Sequence, residues 1–432
     1  MNKIMNFVNI YTQKENNYTN MKKIISIILI ILLISSNITI ISADTNKNAI
    51  NISSALVFNC LNHKNLESSF KWLHSNEIFY ENEVLNISWQ KQQPKYLCLQ
   101  FNKCPENITL IEYHEENIIN KYTIKKIYDQ VITLNNETTK VQLVSYTNKI
   151  ELNRILAYTE GILPEPFYNW IETPDRLDYL VIGAHPDDDV LFMGSVIPTL
   201  QDQGYIGTTV YITTQKRVRI SEALSGTWCM GSKYQSIFLH FPDIPQGRRF
   251  DQAEDFKEED VTLALVRLFR EKKPFVIFSH DVKGEYGHWQ HVITSSSVVN
   301  AAKLAADKSY DEKSYNEYGT WEVKKVYLHL YNQNTYQFDM HTSIESLDGK
   351  TAYEVAKIAF TKHESQAKTR YHVYDDNEKY AMSKFGMIYG TVDVGDNIFD
   401  NINQAELYSS LTYRFITYIN NFNERIINKC IY

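Results

Sequence analysis

Cysteine is scarce: five in 432 residues, at positions 60, 98, 104, 229 and 430. No C-x-x-C pair occurs, so a cysteine knuckle holding a metal is excluded. The odd count leaves at least one thiol free or paired with another chain, and Cys98 and Cys104 are close enough in sequence to close a small loop. Basic charge is also short. Lys and Arg number 44 against 51 Asp and Glu, a formal net charge of −7, which argues against a general nucleic-acid binder. Long apolar runs are missing too. The longest candidate, Ile24 to Ile34, is interrupted by Ser26 and is short for a membrane span. It follows Met21-Lys-Lys, an alternative start, and precedes the small residues Ser42-Ala43, the layout of a secretory signal. Residues 1–43 therefore read as an N-terminal extension and signal peptide, with 24–34 as the apolar core. Cleavage predicts a secreted or lumenal protein without a stable membrane span. An uncleaved anchor is the alternative, with the rest of the chain on the same lumenal side.

What remains has an ordinary globular composition, 44% hydrophobic and 22% charged, and enough length for two or three domains. Residues 44–172 read as a β-sandwich. Candidate strands at 96–101, 108–113, 141–146 and 152–158 are rich in β-branched and aromatic residues, with Asn, Pro and Lys clusters between them. Sequons at Asn51, Asn86, Asn107 and Asn136 all fall in this part and suggest a glycosylated surface. Trp72 and Trp89 are candidates for stacking on a sugar ring or, more ordinarily, for the core. Gly161, Pro164 and Pro166 then mark a linker.

From 173 to 432 strand-like runs alternate with helical patterns, which predicts an α/β fold: a mostly parallel, Rossmann-like sheet with helices on both faces. Runs at 179–184, 208–213, 236–241, 275–279 and 326–331 are the strands. Residues 190–197, 258–272, 292–306 and 353–366 are helix candidates, and 407–419 has the periodicity of a packing helix.

Two polar clusters follow buried runs, where open α/β sheets place their sites. The first is Gly183-Ala-His-Pro-Asp-Asp-Asp189. Three adjacent carboxylates with no Lys or Arg beside them call for a positive partner, and His185 and Asp188 offer a nitrogen and an oxygen to zinc, leaving a neighbouring Asp as a base. A solvated acidic turn is the bland alternative. No glycine-rich phosphate loop occurs in this stretch. The second cluster is Ser279-His-Asp-Val-Lys-Gly-Glu-Tyr-Gly-His-Trp-Gln-His291. His288 and His291 lie one helical turn apart, and His291 can complete a His185, Asp188, His291 site with one position open to water. Two histidines capping a helix is the competing reading.

His185-Pro-Asp-Asp-Asp189 resembles the A-H-P-D-D-E signature of the PIG-L/LmbE-like zinc de-N-acetylases, which include N-acetylglucosaminylphosphatidylinositol de-N-acetylase. Gly287-His-Trp-Gln-His291 is similar to their G-H-x-x-H, Arg219-Ile-Ser-Glu222 to R-x-x-E, and His363-Glu-Ser-Gln366 to H-x-S-Q. The resemblance runs in order over residues 178–370. It implies one zinc per chain on His185, Asp188 and His291, with Asp187 as base and His288 as a non-ligand acid or oxyanion-stabilising group. The implied activity is removal of the acetyl group from an N-acetylglucosamine-type conjugate. Two departures stand out: Asp189 where the family usually has Glu, and Gln290 where many members have Asp, the latter expected to bear on substrate contacts more than on zinc. The order of strands in 44–172 resembles a galactose-binding-like jelly roll, which implies a glycan contact.

Around this core several residues are candidates for substrate or supporting roles. Arg219 and Glu222 form a buried ion pair that organises the loop after the second strand, or Arg219 recognises a sugar or phosphate. Asp243 accepts sugar hydroxyls or begins a turn, and Tyr286 is an additional donor to a developing oxyanion. His280 and Asp281 read as support, and His363 as a residue that approaches the site or is structural. The rival readings are hydrolysis of another amide or ester, a secreted carbohydrate-binding protein with an inactive hydrolase domain, and a membrane-bound enzyme of glycolipid-anchor synthesis.

Overall fold

The computed structural model describes residues 47–71, 75–214, 216–244 and 255–403. The expected signal segment, Trp72, Cys430 and the helix expected over 407–419 lie outside them. The described residues fall within one compact unit that begins at Lys47. No helix among them is long and apolar enough to cross a membrane.

The N-terminal part is a sandwich of antiparallel sheets. Its elements are β1 (Leu56–Asn59), α1 (Leu66–Ser69), β2 (Glu77–Phe79), β3 (Val84–Trp89), β4 (Tyr96–Phe101), β5 (Ile108–His114), β6 (Asn117–Thr123), β7 (Asp129–Thr133), β8 (Lys140–Ser145) and β9 (Ile150–Tyr158). One sheet runs β1-β3-β8-β5-β6 and the other β2-β9-β4-β7. Alternate residues such as Leu85 and Ile87 on β3 and Leu97 and Leu99 on β4 fill the core between them. Trp89 packs half-buried against that core rather than standing free. The polar edge strand β6 has no apolar run to announce it, since its partner on one side is solvent.

The α/β part contains β10 (Tyr179–Gly183), α2 (Asp188–Leu191), α3 (Val196–Asp202), β11 (Gly207–Thr213), α4 (Arg217–Cys229), β12 (Ile237–Phe241), α5 (Glu258–Lys272), β13 (Val276–Ser279), α6 (Trp289–Leu304), α7 (Glu312–Tyr318), β14 (Lys325–His329), β15 (Thr335–Gln337), α8 (Ala352–Thr361) and β16 (Lys384–Gly390). The sheet order is β12-β11-β10-β13-β14-β16-β15. The first five strands are parallel, and β16 pairs antiparallel with both β14 and β15. Helices cover both faces, which is why β10 is apolar throughout. Tyr179 and Val181 pack with α3 and α8 on one side, and Leu180 and Ile182 with α5 and α6 on the other. The chain moves outward from β10 to β11 and β12, then returns to place β13 on the other flank of β10. That reversal makes a crevice at the carboxyl ends of β10 and β13.

Three expectations are corrected. The helix expected over 190–197 is two pieces, because α2 ends at Leu191 and α3 starts at Val196. Gly194 turns the chain there, in a space so tight that a Cβ would come within 2.6 Å of the Val190 carbonyl oxygen. The helix expected over 353–366 stops at Thr361, so His363 lies beyond it, before a 3-10 turn. The small loop closed by Cys98 and Cys104 does not form, and the four described cysteines are free thiols. Cys98 packs with Tyr158 and Phe167, whereas Cys104 packs with Ile127, Tyr128 and Trp170 in a separate cluster.

Candidate active site

Each element that reaches the crevice delivers its polar residues just after its last hydrogen-bonded strand position. His185, Asp187 and Asp188 follow β10, Asp243 follows β12, and His280 and Asp281 follow β13. Asp187 sits at φ +153°, a conformation L residues rarely adopt, and this sharp turn lets Asp187 and Asp188 face different neighbours. After β13 the chain passes Gly284 and Glu285 in the left-handed region before α6. Gly284 cannot carry a side chain, since a Cβ would lie 2.5 Å from the His288 carbonyl oxygen. His288 is the N-cap of α6, and His291 lies in its first turn.

His185, Asp188 and His291 close a triangle. His185 Nδ1 is 3.2 Å from His291 Nε2 and 3.3 Å from Asp188 Oδ2, and His291 Nε2 is 3.3 Å from Asp188 Oδ1. A tetrahedral zinc with ligands at about 2.0 Å has ligand–ligand edges of about 3.3 Å, so the donor set fits that ion. The tautomers fit as well. Glu285 accepts from His291 Nδ1 at 2.7 Å, and Gln290 Oε1 accepts from His185 Nε2 at 3.0 Å. Each ring therefore keeps an unprotonated nitrogen pointed into the triangle. A second close set, Asp188, His280 and His291, shares two of these residues. His280 is fully buried, however, with its Nε2 2.9 Å from the Ala184 nitrogen and 3.1 Å from Asp188 Oδ2, so it backs the site rather than opening onto it. His185, His288 and His291 also come together, with His288 on the crevice side.

Behind the triangle, Glu285 binds three imidazoles: His280 and His329 at 3.1 Å and His291 at 2.7 Å. Burial works to raise the pKa of Glu285, but these rings outweigh it, His280 first, and hold the carboxyl well below its ordinary range. Asp188 behaves alike: burial opposes its charge, while His291, His280 and His185 hold it well below normal. Asp187 goes the other way. Burial pushes it up to about 6, against the pull of Arg219, whose guanidinium lies 3.2 Å away. His288 is pushed down to about 3, first by burial and then by the neighbouring His185 and His291. Its Nδ1 accepts from the Gln290 N–H at 3.2 Å, so the neutral ring carries its proton on Nε2, as a donor.

The remaining expected residues divide. Arg219 is a buried ion-pair residue, with Glu222 at 3.3 Å and the Ser365 hydroxyl at 3.1 Å besides Asp187. Asp243 stands half-exposed at the rim, 3.8 Å from His185 Nε2. The Tyr286 ring centroid lies 5.5 Å from that of His291, and its hydroxyl is 3.2 Å from that of Tyr371. His363 is buried between Gly226 of α4 and Pro186 of the first cluster, near enough to Arg219 and Asp188 for their charges to act on it. In the stretch it begins, Ser365 makes the connection, donating from its N–H to Glu222 at 2.7 Å. Asp281 is buried and donates its N–H to Glu285. Gln290 is turned inward, its amide fixed by the Pro242 carbonyl oxygen at 3.0 Å. The departure at 290 therefore bears on the orientation of a ligand rather than on substrate. Sequence reasoning missed Glu285, His329, Ser365 and Tyr371. Glu285 stood inside the second cluster, and His329 at the end of a strand, which were the available signals.

Residues 180–302 match the family model described as PIG-L: GlcNAc-PI de-N-acetylase. This segment is a PIG-L domain. Among curated relatives, a 1D-myo-inositol 2-acetamido-2-deoxy-alpha-D-glucopyranoside deacetylase of Streptomyces avermitilis is 42% identical over 36% of this chain and 62% of its own length. A mycothiol S-conjugate amidase of Streptomyces coelicolor is 31% identical over 37% of this chain and 61% of its own. This chain thus spans about three-fifths of the length of these relatives. Among solved structures, N,N'-diacetylchitobiose deacetylase from Pyrococcus horikoshii aligns with a TM-score of 0.35 and 20% identity, over 44% of this chain and 71% of that one. The triangle, Asp187, Glu285 and His288 all lie within the PIG-L domain.

Proposed function

We propose that this chain is a zinc-dependent hydrolase that removes the acetyl group from an N-acetylglucosamine-type conjugate. The observation that carries the reading is the His185, Asp188, His291 triangle with Asp187 buried beside it in a PIG-L domain. Those three residues would hold the ion. When bound, zinc supplies a Lewis acid and a water whose acidity is raised to near neutrality. The protein does the rest. Asp187, oriented by Arg219, takes the proton of the attacking water. The His288 Nε2–H donates to the amide oxygen as charge develops there, and the Tyr286 hydroxyl is a second donor. A carbon–oxygen bond forms and the carbon–nitrogen bond breaks. Asp187 returns its proton to the leaving nitrogen, and acetate and a free amino sugar result. Asp243 at the rim suits a sugar hydroxyl.

A second reading is hydrolysis of a different amide by the same residues, which the similarity to an S-conjugate amidase favours. The proposal extends to export. It rests on Met21-Lys-Lys and the apolar run behind it, and the N-terminus of the mature protein decides it.

The test is metal content and acetate release from N-acetylglucosamine conjugates by the chain from residue 44. About one zinc per chain is expected, lost in His291→Ala and kept in Asp187→Asn, with acetate release down by about 100-fold or more in the latter. A well-folded wild type that takes up no metal on reconstitution would overturn the reading.

A further inference from the structure

We propose that the β-sandwich is a working part of the catalytic centre, with Asp129 as a positioning residue that sets Arg219 against Asp187 through Arg217 and α4. The inference rests on the reading of Asp187 as the base. It starts from an oddity at the beginning of α4. A helix N-terminus carries partial positive charge and favours acids. Here Lys216 is the N-cap residue without a side-chain cap, no acid lies in the first turn, and Arg217 and Arg219 do. Glu222, one turn along the same helix, faces Arg219 at 3.3 Å, but the other compensating carboxylates come from outside the helix and from two different places. Arg217 pairs with Asp129 of β7 in the sandwich, and Arg219 pairs with Asp187 in the crevice.

The two contacts lie on different faces of one rigid element. Arg217, Ile220, Leu224 and Trp228 recur at helical spacing. This face meets Ile127, Tyr128, Tyr168 and Trp170, with the Tyr168 and Trp228 rings stacked at 4.7 Å. Arg219, Glu222 and Gly226 recur on the other face, toward Asp187, Ser365 and His363. A rotation or slide of α4 that loosened Arg217 would carry Arg219 with it.

Asp129 is a fixed point, not an exposed charge. It is 1% exposed, Gln100 donates to it at 3.0 Å, and Gln100 in turn accepts from Arg154 at 2.6 Å, so the sheet β9-β4-β7 holds it in place. Arg217 is buried as well, and it also reaches Ser221. A parallel line of rings supports the seam: Tyr128 on Phe238 at 5.2 Å, and Phe238 on Tyr211 at 5.2 Å.

The experiment compares wild type, Asp129→Asn, Arg219→Ala and the double variant, each checked for zinc content and melting temperature. Asp129→Asn is expected to lower kcat by about tenfold or more with KM changed by less than about twofold, as a misplaced group would. In the Arg219→Ala background the same substitution should cost less than about twofold, because the group it positions is gone. Losses that multiply in the double variant would overturn the proposal, as would an unchanged kcat in Asp129→Asn. Should Asp129→Asn fold poorly, Arg217→Lys replaces it under the same criteria. Amide hydrogen exchange gives a reading independent of activity. Faster exchange at 185–189 and 217–224, with 258–272 unchanged, supports the coupling even if no substrate is found. Unchanged exchange at 185–189 and 217–224 in a variant lacking the ion pair would sink it.

Discussion

Asp188 faces three imidazoles, whereas Asp187 faces one guanidinium and is otherwise desolvated, and this difference separates their acidities. A base must be ionised to work. Activity should therefore rise with pH through the Asp187 titration and fall below it, with the acid limb of kcat/KM at about 6 or lower, since a cation at Asp188 also favours the ionised form. Arg219 pulls Asp187 down, so Arg219→Ala should move that limb to higher pH; a pH–rate profile of the two proteins checks the direction. Gln290 offers a second residue-scale test. Its oxygen fixes which His185 nitrogen carries the proton, so Gln290→Leu should weaken zinc affinity by about 10- to 100-fold, read by competition with a chelator. Both effects were hidden in the sequence. Position 290 reads as a substrate contact until the fold turns its amide toward Pro242 and His185.

At the scale of elements, α4 and α8 approach closely because Gly226 has no side chain. A Cβ there would come within 2.9 Å of His363 Nε2, inside a packed layer. Gly226→Ala should lower stability by about 1–3 kcal/mol by overpacking, measured by denaturant unfolding, with a further loss of activity as Ser365 moves off Glu222. The helices themselves were legible where one face meets a core and the other meets water. The expected α5 coincides with its observed bounds because Val261, Leu265, Leu268 and Phe269 line one face. Over 190–197 the apolar run continues across the break at Gly194, which periodicity alone cannot show, whereas α8 ends where the apolar face gives way to the polar residues Lys362 to Gln366.

For the molecule as a whole, the sandwich and the α/β layers meet along a seam of Ile127, Tyr128, Trp170, Ile220, Leu224 and Phe238 around the Asp129–Arg217 pair. An apolar seam with a buried ion pair resembles a core more than a contact between independent domains. A single cooperative thermal transition is expected for the described parts, and two transitions resolved by calorimetry would contradict it. Separating the α/β part at residue 173 should give an insoluble chain, because it would leave Arg217 unpaired and that seam open to water.

The sequence by itself determined the alternation of strands and helices, the two clusters at strand ends, and the residue types able to hold zinc, because these depend on local period and on the chemistry of neighbours along the chain. Tertiary structure alone decided the rest. It brought Glu285 and His329 behind the ligands, turned Gln290 inward, and set Asp129 against α4. Those contacts join residues far apart in sequence, and their free energies depend on burial and on the direction of single hydrogen bonds, which no local pattern encodes.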